Sequence, residues 1–416
     1  MVESNASQGF TRNAPLAPTR RLIVRNWLPG VLAFALLGMS AAPASAIDEA
    51  HLRQGQQLID RAVEFLRSQQ DTATGGWSIQ AQGSQFPAIT GLVLDGMLME
   101  PAIDEQDPAV ARGVAYLLSF HKPDGGIYDD NLASYNTSIC LSALSRINDP
   151  KVAAVVAPAQ KFLRSLQWTG EATDRTDTQA VTQDDPFFGG VGYGSHGRPD
   201  NSNLGMMLQA LHDSGLSSDD DAYKQAVVFL QRTQMDDRVN DMPYAQGSRQ
   251  GGFIYSTGPD ANRKGEGETK AGSIEEVWPD GGKVSRLRAY GSMTYTGFKS
   301  YLYANLSRSD QRVELAYDWI RHNYTLEENP GVGMQGFYYY LVTFSRALEA
   351  WGLPEVQTID AAGVSHSHDW ANDLIDRLGE LQQPDGSFQN LHDRWMEGDP
   401  VLVTAYALIA LEHAIR

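Results

Sequence analysis

One cysteine, Cys140, occurs in the 416 residues. It cannot form an internal disulfide, so the fold must be held by packing, and a chain of this length can bury enough surface for that. Basic charge is also scarce: 33 Lys and Arg stand against 51 Asp and Glu, a formal net charge of −18. A chain with that balance has little to neutralise phosphates with, which excludes nucleic acid as the expected partner. One apolar run stands apart from the rest near the N-terminus, Trp27 to Met39. That run falls short of the ~20 residues needed to span a bilayer. It follows Arg20, Arg21 and Arg25 and precedes the small-residue sequence Ala44-Ser45-Ala46. This is the pattern of a cleaved secretory signal, and Thr19-Arg20-Arg21-Leu22-Ile23-Val24-Arg25 also resembles a twin-arginine export signal. Residues 1–46 are therefore expected to be removed on export to the periplasm or medium. The mature chain is expected to be acidic, with no membrane span, and its oligomeric state stays open.

Glycine and aromatic residues, by contrast, recur in order. Six times an amphipathic stretch ends near an aromatic-Leu pair, such as Phe65-Leu66, Tyr116-Leu117 or Phe229-Leu230. A glycine loop follows, such as Gly75-Gly76-Trp77, Gly125-Gly126-Ile127, Gly251-Gly252-Phe253 or Asp385-Gly386-Ser387-Phe388, and then an almost wholly apolar stretch. Repeats of this size mark stacked two-helix units, each dependent on its neighbours to bury its apolar face. Leu374, Leu378 and Leu381 lie at i, i+4 and i+7 among charged residues, so the first helix of a unit belongs outside. Val401 to Leu411 contains one polar residue, Thr404, and a helix apolar on nearly every side is surrounded by protein. Six such pairs predict an all-α, (α/α)6 toroid over residues 47–416, with six inner and six outer helices. The Asp-Pro pairs at 107–108, 149–150 and 399–400 read as helix starts.

Two long insertions interrupt the repeat, at about residues 171–203 and 232–292, both at the mouth where the inner helices begin. Between Asp280 and Asp310 there is no carboxylate, while Lys283, Arg286, Arg288, Lys299 and Arg308 are interleaved with Tyr290, Tyr295, Phe298, Tyr301 and Tyr303. That stretch is expected to form a positive, aromatic wall, with Arg286, Arg288, Tyr290, Tyr295 and Lys299 as ligand contacts. The run Phe337-Tyr338-Tyr339-Tyr340 points around its helix, so one ring, taken as Tyr339, is expected to face the cavity. Acid, base or glycan-contacting groups are sought in Tyr193, His196, Tyr295, His392, Asp393, Trp395 and Glu397. His366, His368 and Asp369 have the types of metal ligands, but Asp369 reads better as a helix cap; no metal or cofactor is expected. Asp95, inside an inner helix, needs a partner on a neighbouring helix or a wet cavity.

The loop Gln382-Gln383-Pro384-Asp385-Gly386-Ser387-Phe388 resembles the QxxDGSW repeat of squalene and terpene cyclases, and Lys122-Pro123-Asp124-Gly125-Gly126-Ile127 resembles that of protein prenyltransferase beta subunits. The resemblance extends over the mature chain. It is closest to the exported bacterial prenyltransferase and squalene-oxidase repeat proteins, which share runs like Arg288-Ala289-Tyr290-Gly291-Ser292-Met293-Thr294-Tyr295 and Asp393-Arg394-Trp395 with Glu397-Gly398-Asp399-Pro400. It implies a toroid that takes an isoprenoid or similar apolar ligand, with Arg288 and Lys299 expected to hold an anionic end. Two departures narrow that implication. The DxDD acid motif of class II cyclases is absent, since Asp184-Asp185 and Asp219-Asp220-Asp221 lack its spacing. The Asp, Cys and His zinc ligands of the prenyltransferases are not matched either, because Cys140 sits between Ile139 and Leu141. The alternatives are an exported glycan-active or glycan-binding protein, with Tyr193, His196, His392 and Trp395 at its site, and a non-catalytic interaction module of the envelope.

Overall fold

The computed structural model describes residues 47–78, 85–170, 180–194, 198–277 and 281–416. Within them, helices alternate between two rings. The outer ring is α1 (Glu49–Ser68), α3 (Pro108–Leu118), α5 (Pro150–Ser165), α7 (Asp221–Thr233), α9 (Gln311–Asn323) and α11 (Trp370–Leu381). The inner ring is α2 (Pro87–Met97), α4 (Ala133–Leu144), α6 (Asn201–Asp213), α8 (Gly291–Tyr303), α10 (Phe337–Trp351) and α12 (Pro400–Ala414). Each inner helix packs on the next, and α12 packs on α2, so the ring closes. The fold is an (α/α)6 toroid.

Burial follows sequence polarity. Every residue of α2 and every residue of α12 after Pro400 is buried, whereas α1 buries Leu58, Ile59, Ala62, Val63 and Leu66 along one stripe and leaves its charges outside. Asp107, Asp149 and Asp399 cap α3, α5 and α12, each accepting a backbone N–H of the first turn ahead of a proline that lacks one. Asp369 caps α11 in the same way.

The glycine loops are built by two recurring hydrogen bonds. A glutamine at the end of an outer helix donates both to the loop glycine's carbonyl and to the next outer helix: Gln70 to Gly75 and Ala109, Gln167 to Gly189 and Ala222, Gln234 to Gly251 and Arg312, Gln382 to Gly386 and Leu58. A threonine early in the inner helix then accepts the N–H of the residue after the glycines, as Thr90 does from Trp77, Thr137 from Ile127, Thr294 from Phe253 and Thr404 from Phe388. The loop glycine is required for two reasons at Gly189, where φ is +81° and a Cβ would meet the Gln225 carbonyl oxygen at 1.9 Å. The repeat motif is thus a joint between units.

Among the described residues three antiparallel hairpins decorate the helices: β1 (Gln234–Asp236) with β2 (Arg249–Phe253), β3 (Ser273–Val277) with β4 (Lys283–Leu287), and β5 (Glu355–Ile359) with β6 (Ser365–Asp369). The first two belong to the insertion at 232–292. The third was not anticipated, and its short alternating strands explain why: β6 is Ser-His-Ser-His-Asp, polar on both faces.

Candidate functional site

At the end of the toroid where the inner helices begin, their first turns enclose a pocket. Ile89 of α2, Tyr135 of α4, Ser202 of α6, Met293 of α8, Tyr339 of α10 and Leu402 and Tyr406 of α12 form its wall, and connecting segments add Phe86, Tyr193, Tyr255, Tyr290, Trp395 and Glu397. The cavity itself is about 150 Å³, and the empty space rises to about 940 Å³ when the open mouth is included. Six tyrosines line it, and no lysine or arginine does among the described residues.

Among the described residues, Glu397 is the one carboxyl in that wall. It is 1% exposed and caps α10: Oε1 accepts the Tyr339 N–H at 2.8 Å, and Oε2 accepts the Tyr338 N–H at 3.2 Å and the Asn390 amide at 2.7 Å. Those bonds favour the anion, but burial outweighs them and pushes the carboxyl up to about 7. The segment leading to it is strained. Trp395 and Met396 are both left-handed, with φ of 60° and 66°, a conformation costly for bulky side chains. Trp395 is held there by Gly336, whose missing side chain leaves the ring its place: a Cβ would lie 2.9 Å from two ring carbons.

The other end of the bore is polar and charged. Asp95 accepts from Arg146 and from Arg346 of α10, each at 2.6 Å, and Arg346 reaches His413 of α12 at 3.4 Å. His413 in turn lies 2.5 Å from Glu349. Lys299 of α8 donates to Gln209 of α6, which bonds Asp213 at 2.8 Å. Burial lowers the Lys299 ammonium to about 7 and raises the Glu412 carboxyl to about 8. Asp95 thus finds the helix partners its burial required.

Of the residues singled out from sequence, Tyr193, Tyr290, Tyr339, Trp395 and Glu397 meet at the pocket. His196 lies outside the described residues. The expected positive wall does not form. Lys299 is 3% exposed in the polar end of the bore, far along α8 from the mouth. Arg286 lies on β4 and pairs with Glu276 at 3.7 Å, Lys283 pairs with Glu275 at 3.1 Å, and Arg308 stacks on Trp351. Arg288 is exposed and borders a separate crevice with Glu327 and Glu328. The carboxylates that pair with Lys283 and Arg286 stand just upstream on β3, outside the carboxylate-free run, and only the hairpin register brings them opposite. Tyr295 is core: its ring packs 5.6 Å from Tyr340 and 5.1 Å from Phe344. His392 and Asp393 are exposed outside the pocket wall, where Asp393 accepts the Gly398 N–H at 3.0 Å. His366 and His368 bond separately to Asp360 and Asp373.

Sequence reading missed Tyr135, Ser202, Tyr255 and Tyr406. The first two sit in the opening turn of an inner helix, a position that the repeat itself marks as facing the mouth.

The geometry defines a helical toroid with a blind aromatic pocket at one mouth, and comparison places it among toroid folds. No protein-family model matches the sequence, and no curated protein sequence matches it. Among solved structures, the chain is similar to a variant of the type II terpene cyclase MstE from Scytonema in complex with geranylgeranyl dihydroxybenzoate, with a TM-score of 0.52, 15% identity, and coverage of 89% of this chain and 99% of that one. It is similar too to the GH76A alpha-1,6-mannanase from Salegentibacter sp. HEL1_6, with a TM-score of 0.54, 10% identity, and coverage of 87% and 98%. An inactive variant of that mannanase in complex with alpha-1,6-mannotriose gives the same TM-score. At these identities the likeness establishes the architecture, which hosts unrelated reactions.

Proposed function

We propose that the protein is an exported toroid that binds a predominantly apolar, isoprenoid-like ligand in the mouth pocket. The observation that carries this reading is the wall itself: aromatic rings and aliphatic side chains around a part-open space, with Glu397 the one carboxyl among the described residues. Such a lining matches an extended apolar body by area and by ring faces. The terpene cyclase neighbour, whose ligand is a geranylgeranyl aromatic, shows that a toroid of this kind accommodates a chain of that class.

Cyclisation by alkene protonation is not supported by the chemistry of the wall. A carboxyl near 7 is a weak acid, and proton transfer to carbon requires a far stronger one. Glu397 instead suits hydrogen bonding or proton exchange with an oxygen-bearing group near neutral pH. The glycan reading has the mannanase likeness and the tyrosine-rich mouth in its favour. Hydrolysis by the usual route, however, needs two carboxyls roughly 5–9.5 Å apart across the bond, and among the described residues Glu397 is the one carboxyl in the wall.

The test is to purify the protein from its native envelope or medium, extract it with solvent and identify co-purified small molecules by mass spectrometry. A stoichiometric isoprenoid or similar lipid supports the reading. A protein that carries none, and binds acidic or neutral oligosaccharides on an array, replaces it with the glycan reading. Export is tested by N-terminal sequencing of the same preparation, with a mature start at Ile47 expected.

A further inference from the structure

Two hydroxyl bridges cross the bore at the inner end of the pocket. Tyr135 of α4 and Tyr406 of α12 stand on either side of α2, and their hydroxyl oxygens lie 3.0 Å apart. Ser202 of α6 and Tyr339 of α10 stand on either side of α8, and their oxygens lie 3.1 Å apart. The Tyr339 and Tyr406 rings are 6.1 Å apart, so the two bridges adjoin. Tyr406, well into the second turn of α12, lies farther along its helix than any other inner-helix residue of the wall. These hydroxyls therefore form the floor on which a ligand entering from the mouth would end.

The floor has a defined chemistry. In a hydroxyl pair one O–H donates and the other accepts, which leaves the acceptor's own proton and several lone pairs over. Burial raises all three tyrosines above their ordinary range, and Thr296 faces Tyr339 as a further hydroxyl, so the groups stay neutral donors and acceptors. Among the described residues no cation lines the wall while Glu397 does, and Arg346, whose charge reaches Tyr339 from below, is already paired with Asp95, so an anionic end pressed against this floor is disfavoured. A hydrocarbon end would strip water from the hydroxyls and return no hydrogen bond.

We infer that the pocket selects amphiphiles whose deep end is a neutral oxygen group, a hydroxyl or carbonyl, seated on the Tyr135–Tyr406 and Ser202–Tyr339 bridges. This rests on the apolar-ligand reading and specifies it. It also replaces the anionic end expected from sequence.

The experiment compares probes that share one chain: farnesol, farnesene and farnesyl phosphate, titrated by calorimetry into the mature protein. Farnesol is expected to bind about tenfold more tightly than farnesene and more tightly still than the phosphate. In Tyr406→Phe and Tyr339→Phe, which keep the rings, the farnesol advantage should fall to about threefold or less while farnesene affinity stays at the parent value. Phosphate binding tightest, or an unchanged farnesol-to-farnesene ratio in both variants, overturns the inference and leaves the apolar-ligand reading standing. No binding by any of the three overturns that reading as well.

Discussion

Replacing Asp95 with Asn should unsettle the closed end of the toroid more than any loop change. Asp95 is 2% exposed and is held at 2.6 Å by both Arg146 and Arg346, the second of which is 5% exposed. The substitution preserves shape and removes the charge that both guanidiniums face. Breaking a buried ion pair from one side typically costs about 3–5 kcal/mol, because the remaining charge is left uncompensated. Arg146 is partly solvated and can recover water, so Arg346 sets the magnitude, about 4 kcal/mol. For a domain of this size that corresponds to a fall in thermal midpoint of roughly 5 °C. Urea and thermal unfolding followed by circular dichroism give both numbers. A double variant, Asp95→Leu with Arg346→Met, should recover most of the loss, since an apolar pair carries no desolvation penalty. A loss below about 1 kcal/mol in the Asn variant would refute the reasoning, because the triad would then be no stronger than a surface pair.

Other outcomes follow from the same geometry. Burial, reinforced by the Glu100 charge, raises Glu412 from 4.5 to about 8, so its cost to stability is absent below 4.5, grows as pH rises and is complete above 8. Glu412→Gln should therefore gain on the parent across that window, by on the order of 3 kcal/mol at pH 8, as urea midpoints measured from pH 4 to 9 will show; a gain independent of pH contradicts the assignment. Gln382→Ala removes the amide's bonds to Leu58 of α1 and to Gly386 of the last loop and should cost about 1–3 kcal/mol, measured by denaturation; no change would deny the joint its role. Gly336→Ala should drive the Trp395 ring from its seat, seen as a change in the accessibility of tryptophan fluorescence to acrylamide relative to the parent and to Trp395→Phe.

The architecture was legible because its devices are local. Asp-Pro starts, loop glycines and the contrast between α1 and α12 all lie within a few residues of what they specify. The glutamine and threonine joints were equally local, yet their meaning needed the neighbouring unit, since Gln382 acts on Leu58 across the ring closure. The site was read less well for a physical reason. Charge along a run says nothing of which carboxylates fold against it, so Arg286 and Lys283 read as a positive wall although β3 neutralises them. Lys299 follows Tyr290 by only nine residues, but along an inner helix that distance carries it from the mouth toward the opposite end of the bore. Tyr135 and Tyr406, some 270 residues apart, meet only because the ring closes.

The claim that the mouth pocket is a binding site for an apolar ligand is tested most directly by titrating farnesol into the mature parent and into Ile89→Trp and Leu402→Trp, each of which places an indole in the pocket from a different helix. The account predicts one site per chain in the parent and loss of binding in both variants with helical circular dichroism unchanged. Undiminished binding in both well-folded variants, or none in a ligand-free parent, would contradict it.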